Sequence, residues 1–248
     1  MKSILSAMLL ATAALGAAPA FAQEGAKNIV LVHGAFADES SWDRVAEILS
    51  AKGYNVTQVA NPLTSLADDV AATKAALDAQ DGPTVLVGHS WGGVVIGEAG
   101  NDDKVQALVY VSAFGPDRGE TLNALLAGGA PSEGVKHIVP NAEGGLIVDP
   151  AAFPTYFAAD VPAAEAETMA ADQLPSNPAN FDDAVTVAAW HDKPSFYVVT
   201  TQDQMLPADT QRFFAGRMKA SITEIEASHA GLVSKAEDVA KVIEDAAR

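Results

Sequence analysis

The sequence predicts an α/β protein, a mostly parallel β-sheet with helices on both faces and a lid inserted late in the chain. Three observations predict it. Between residues 27 and 113, short apolar runs rich in Val, Ile and Leu alternate with segments of helical spacing, as in strands buried on both faces and joined by crossover helices. The pattern Gly88-His89-Ser90-Trp91-Gly92 falls where one of those runs meets a helix. From Phe114 to about Ala189 the alternation stops, and regularity returns only at Ser195.

Taken in order, Lys27–Val32 is an unbroken β-branched strand running into the turn His33-Gly34-Ala35-Phe36. Ser40-Ser41 offers an N-cap for a helix over Trp42–Lys52, whose apolar positions Trp42, Val45, Ala46 and Leu49 have helical spacing and which Gly53 stops. A strand follows at Asn55–Val59. Ser65 then caps a helix in which Leu66, Val70, Thr73 and Leu77 form the buried stripe. Asp68 and Asp69 fall in its first turn, where the helix dipole favours acids. After Asp81-Gly82-Pro83 comes the strand Thr84–Val87, the Gly-rich turn and a helix from Val94, then a strand over Val105–Ala113. In the stretch 115–190, rich in Gly, Pro and Ala, short helices are expected at Thr121–Leu126 and Ala163–Gln173, and Phe153, Tyr156, Phe157, Met169, Phe181 and Trp190 need burial. A long insertion of this kind usually covers a binding site. The chain closes with a strand at Ser195–Thr200, a helix at Ala208–Met218, a strand at Ser221–Glu226 and a helix at Lys235–Ala247.

The first 22 residues read as an export leader. Met1-Lys2 is basic, Ile4–Leu15 is apolar, and Pro19-Ala20-Phe21-Ala22 ends in a small-x-small pattern, so cleavage is expected before Gln23. The apolar run is too short for a membrane anchor. Cleavage leaves residues 23–248 as one domain and, with Lys2 gone, moves the formal charge from −17 to −18. So acidic a chain repels nucleic acid and anionic membranes, and neither is an expected partner. The absence of cysteine excludes disulfides, thiolate metal sites and a cysteine nucleophile. The expected location is periplasmic or secreted.

A serine at a tight strand-to-helix turn has its hydroxyl lifted above the sheet, and the following helix aims backbone N–H groups at a developing oxyanion. Ser90 occupies such a turn, and it needs a base. Of the five histidines, His33 and His89 adjoin glycines and suit structural roles, and His137 and His191 lie in or beside the insertion. His229, just past the last strand at the carboxyl edge of the sheet, is the candidate base. Asp203, after the strand ending at Thr200, is the candidate acid that orients it, with Asp117 as the rival. The order Ser90, Asp203, His229 is that of a nucleophile-elbow hydrolase. The backbone N–H of Trp91 and one from the first loop, Ala35 or else Phe36, are the candidate oxyanion donors. Phe36 is also a candidate substrate-binding residue, and no metal site is expected.

Ile29-Val30-Leu31-Val32-His33-Gly34-Ala35-Phe36, Gly88 to Gly93, Asp203 and Ser228-His229 together resemble the α/β-hydrolase superfamily, over nearly all of the mature chain outside the insertion. Within it the chain is most similar to the branch of plant methyl esterases, hydroxynitrile lyases and bacterial carboxylesterases. The resemblance implies the triad and the Ala35 donor named above, no metal or organic cofactor, and a small-molecule ester as substrate. The lyases characteristically carry threonine for the glycine of His-Gly and a lysine directly after the catalytic histidine. Gly34 and Ala230 stand there instead, which favours ester hydrolysis over the first alternative, cyanohydrin cleavage; the second, a non-catalytic binding role on the same scaffold, is disfavoured by the complete triad. Dehalogenase relatives use an aspartate nucleophile, which Ser90 excludes. Trp91 departs from the tyrosine usual after the serine in bacterial members.

Overall fold

The computed structural model describes residues 25–128 and 131–248, so the expected leader and its cleavage point lie outside the described residues. Six strands form one parallel sheet: β1 (Asn28–Val32), β2 (Asn55–Val59), β3 (Thr84–His89), β4 (Val105–Val111), β7 (Ser195–Thr200) and β8 (Ser221–Ile225), in the order β2-β1-β3-β4-β7-β8. Between β4 and β7 a two-stranded antiparallel hairpin, β5 (Ile138–Pro140) and β6 (Leu146–Val148), stands apart from it. Consecutive residues of β3 and β4 are buried. Because side chains alternate across a sheet, that requires cover on both faces. The cover comes from helix α1 (Asp43–Ala51) packed on α9 (Ala236–Ala246), and from α2 (Leu66–Asp78) packed on α3 (Gly92–Ala99).

The winding reverses between β1 and β3, and such a switch point opens a crevice at the carboxyl ends of the strands. The register brings it together: Val32, the last residue of β1, lies opposite Gly88 in β3. The first loop and the serine turn are therefore neighbours.

Helix α2 starts as the sequence predicts, with Ser65 and Asp68 capping each other (Asp68 N to Ser65 Oγ 3.0 Å, Ser65 Oγ to Asp68 Oδ2 2.8 Å). Its neighbour Asp69, in the same turn, does not share that exposure; it points inward and is fully buried. The cap of the first helix also differs from expectation. Asp38 accepts from the Ser40 N–H (2.9 Å) and starts a 3-10 turn over Glu39–Trp42 that leads into α1. A carboxylate two residues upstream reaches the free N–H groups better than the Ser40-Ser41 hydroxyls do.

The stretch 115–190 contains the short helices α4 (Leu122–Leu126, capped by Thr121), α5 (Phe153–Tyr156) and α6 (Ala163–Ala171). Phe153, Phe157 and Trp190 are buried, while Tyr156, Met169 and Phe181 are partly buried against the core. Phe153 and Phe157 stack at 4.4 Å. After β7 come α7 (Ala208–Met218) and, before α9, the short α8 (Gly231–Ser234). No helix among the described residues is long and apolar enough to cross a membrane.

Candidate active site

Ser90 sits between β3 and α3 with φ 51°, a left-handed conformation rare for a residue with a side chain. Tight packing enforces it. A Cβ on Gly88 would lie 2.5 Å from the Gly92 carbonyl oxygen, and one on Gly92 would lie 2.5 Å from that of Val32. Only glycine fits at either position. The Ser90 backbone is held on both sides, its N–H donating to Val111 (3.2 Å) and its carbonyl accepting from Phe114 N (3.1 Å).

Across the crevice His229 is buried, and its Nδ1 lies 2.7 Å from Asp203 Oδ2. Because a carboxylate accepts, Nδ1 carries the hydrogen and Nε2 is left with a free lone pair. Asp203 is itself saturated with donors. Met205 N and Leu206 N both reach Oδ1 at 2.8 Å, while Thr200 Oγ1 (3.0 Å) and Gln211 Nε2 (2.9 Å) reach Oδ2. The rival acid Asp117 lies elsewhere, in an exposed pair with His191 at 2.9 Å.

The backbone of the His229 loop is also tied down. His89 Nε2 donates to the His229 carbonyl (2.9 Å), and the Phe157 carbonyl accepts from Ala230 N (3.0 Å) and Ser228 Oγ (3.1 Å). Burial holds the His89 imidazole well below its ordinary pKa, so it is a neutral donor.

Ser90, His229, Ala35, Phe36 and Trp91 line one cavity of about 190 Å³. The rest of its wall is Asn123 and apolar side chains, chiefly Phe114, Phe181, Leu146 and Leu206, and no charged side chain lines it. Ala35, Phe36 and Trp91 are buried, yet their backbone N–H groups have no hydrogen-bond acceptor among the described residues. Buried N–H groups seldom go unpaired, and three beside one serine suit an incoming oxyanion. Phe36 has φ 65°, so the first loop is strained as well. A larger cleft of about 340 Å³, also touching Phe36 and lined in part by Arg44 and Glu165, contains neither Ser90 nor a histidine. No cluster of three or more metal-ligating side chains occurs among the described residues.

Sequence reasoning misses Gln211, His89 as a donor to the His229 loop, and the bond from Trp91 Nε1 to Asp69 (2.7 Å). Gln211 does leave a signal, since it continues the buried helical stripe Phe214, Ala215, Met218.

The family model described as the alpha/beta hydrolase family matches residues 29–242. The chain belongs to that family. Among curated hydrolases of this kind, a pyrethroid hydrolase of Sphingobium wenxiniae is 27% identical, over 88% of this chain and 86% of its own length. A carbendazim hydrolyzing esterase of a Nocardioides species is 30% identical over 43% of this chain and half of its own length. The crystal structure of a pyrethroid hydrolase superposes with a TM-score of 0.75 at 25% identity, covering 89% of this chain and 96% of that one.

Proposed function

We propose that this hydrolase cleaves carboxylic esters through an acyl-Ser90 intermediate, with His229 as general base and Asp203 as its orienting acid. The observation that carries the reading is the cavity shared by Ser90 and His229, with the His229 ring fixed from behind by Asp203 at 2.7 Å. In the first half-reaction His229 Nε2 takes the Ser90 proton as Oγ attacks the acyl carbon. The oxyanion is held by the N–H groups of Trp91 and Ala35, each contributing about 3–4 kcal/mol to the transition state. The imidazolium then returns the proton to the departing alkoxide, and the alcohol leaves. Water repeats the cycle on the acyl-enzyme with His229 as base, releasing the acid and Ser90. The relatives named for pyrethroid and carbendazim hydrolysis support an ester-cleaving role.

Two further features bear on substrate. The uncharged, apolar wall offers no partner for a carboxylate or phosphate, so the ester is neutral with apolar groups. A Cβ on Gly34 would lie 2.8 Å from Ser90 Cβ, so the threonine expected of a lyase has no room here. The leader read from residues 1–22 supports action outside the cytoplasm, and a mature N-terminus at Gln23 in the exported protein is the result that checks it.

Hydrolysis of p-nitrophenyl esters from acetate to decanoate by wild type and Ser90→Ala tests the mechanism. Turnover that disappears in the variant supports it. Undiminished turnover in Ser90→Ala refutes it.

A further inference from the structure

The mechanism leaves one buried ionisable group unused. Asp69, in the first turn of α2, is fully buried and forms no ion pair among the described residues. Its Oδ2 accepts from Trp91 Nε1 at 2.7 Å and its Oδ1 from Leu63 N at 2.8 Å. Burial pushes its carboxyl pKa up, against the pull of these donors and of the Asn61 amide. A buried carboxylate without a cation is costly, and a surface position on the same helix would have avoided the cost. What it holds is specific. Trp91 follows the nucleophile, its main-chain N–H is one of the three unpaired donors, and its ring walls the cavity.

The second arm of the carboxylate reaches the insertion. Leu63 is strained at φ 58°, and its carbonyl accepts from Asn177 N and Asn180 Nδ2, both at 2.9 Å. The next residue, Phe181, returns to the Trp91 ring at 5.8 Å between centroids. Asp69 thus closes a circuit through Trp91, Phe181, Asn180 and Leu63, joining the serine turn to the insertion that roofs it.

We infer that Asp69 is a positioning residue for the oxyanion site, acting through the Trp91 indole to fix the residue whose N–H receives the oxyanion. The inference rests on the esterase reading of Ser90 and Trp91. Removing the indole bond leaves Ser90, His229 and Asp203 in place but frees the Trp91 side chain to shift. The peptide that carries the donor then loses its fixed aim. The loss falls on the transition state, so kcat drops while KM for a small ester stays near wild type.

The test is a double-mutant cycle of Asp69→Asn and Trp91→Phe, read as kcat and KM on p-nitrophenyl acetate, with Tm recorded and Ser90→Ala run alongside. An asparagine cannot accept from both Trp91 Nε1 and Leu63 N, since its amide nitrogen only donates. Each single variant should lose on the order of tenfold in kcat, a fraction of the ~10²–10³ lost when an oxyanion donor is deleted outright. The double variant should lose no more than the worse single one. Independent multiplication of the two losses, or wild-type kcat in Asp69→Asn while Ser90→Ala is dead, overturns the inference and leaves the esterase reading intact. Turnover retained in Ser90→Ala overturns both. Should Asp69→Asn fail to fold, Trp91→Phe alone carries the test, and an unchanged kcat there refutes the role.

Discussion

Gly34 offers a perturbation whose size can be worked from the structure. A Cβ added there would lie 2.8 Å from Ser90 Cβ, 2.9 Å from His89 Nδ1 and 3.1 Å from the His89 carbonyl oxygen. Ordinary contact begins near 3.4 Å, so Gly34→Ala must open the gap to Ser90 by about 0.6 Å. Neither neighbour gives way easily. His89 donates to the His229 loop, and Ser90 is held by Val111 and Phe114. The first loop is the part that retreats, taking the Ala35 N–H with it. Displacement approaching 1 Å in a catalytic group costs about 10²-fold, as does losing one oxyanion donor. The expected result is a fall in kcat of about 10²-fold, with KM nearly unchanged and a stability cost of ~1–3 kcal/mol from overpacking. Gly216→Ala is the control. Nothing lies within 4 Å of a Cβ at this position in α7, so stability should rise by ~0.5–1 kcal/mol without change in kcat. Gly34→Ala with kcat within twofold of wild type would refute the placement of the oxyanion site against this loop.

Asp203→Asn should cost about 10⁴-fold in kcat, because an amide cannot accept from the donors crowding both oxygens and disturbs the His229 tautomer; kcat within tenfold of wild type would exclude Asp203 as the orienting acid. Tyr110 and Tyr197 stack at 6.0 Å, but the Tyr110 hydroxyl is buried with no partner among the described residues, whereas the Tyr197 hydroxyl bonds the Ala113 backbone. Chemical denaturation should therefore find Tyr110→Phe neutral or stabilised and Tyr197→Phe destabilised by ~1–3 kcal/mol. Burial lowers the imidazole pKa of His89 and His33 from their ordinary 6.5. Below that value the unfolded chain binds protons that the fold excludes, so each of these groups withdraws stability as pH falls, by up to ~1.4 kcal/mol for every pH unit. Asp69, raised by burial, acts in the opposite sense and only nearer the acid range. A Tm that falls steadily from pH 7 to 5.5 is expected, and a flat or rising one would contradict the buried neutral histidines.

Much of this architecture is legible in the sequence because the signals are local and mutually consistent. The bounds of β2, β7 and α7 follow from β-branched runs and helical spacing ended by glycine, proline or polar residues. Ser90, Asp203 and His229 stand out by position just past the ends of β3, β7 and β8, and the fold brings His229 against Asp203 and onto the same cavity as Ser90. Other features depend on tertiary contacts that no local pattern encodes. Asp69 is as acceptable to the helix dipole outside as its neighbour Asp68, and only the donors it meets inside, the Trp91 indole 22 residues away and the Leu63 N–H, explain why it turns inward. His89 beside Ser90 reads as a turn residue; its bond to His229, 140 residues on, needs the folded sheet. The β5–β6 hairpin escapes detection because three-residue strands carry too few alternating positions to register as a pattern.

The central claim is that Ser90 is a nucleophile activated by His229. Treatment with a p-nitrophenyl phosphonate, with the adduct located by peptide mass, tests it most directly. The expected result is one adduct per chain, on Ser90, formed in step with loss of esterase activity and absent in Ser90→Ala. An enzyme that stays active while unlabelled, or whose label falls on another residue as activity is lost, would contradict it.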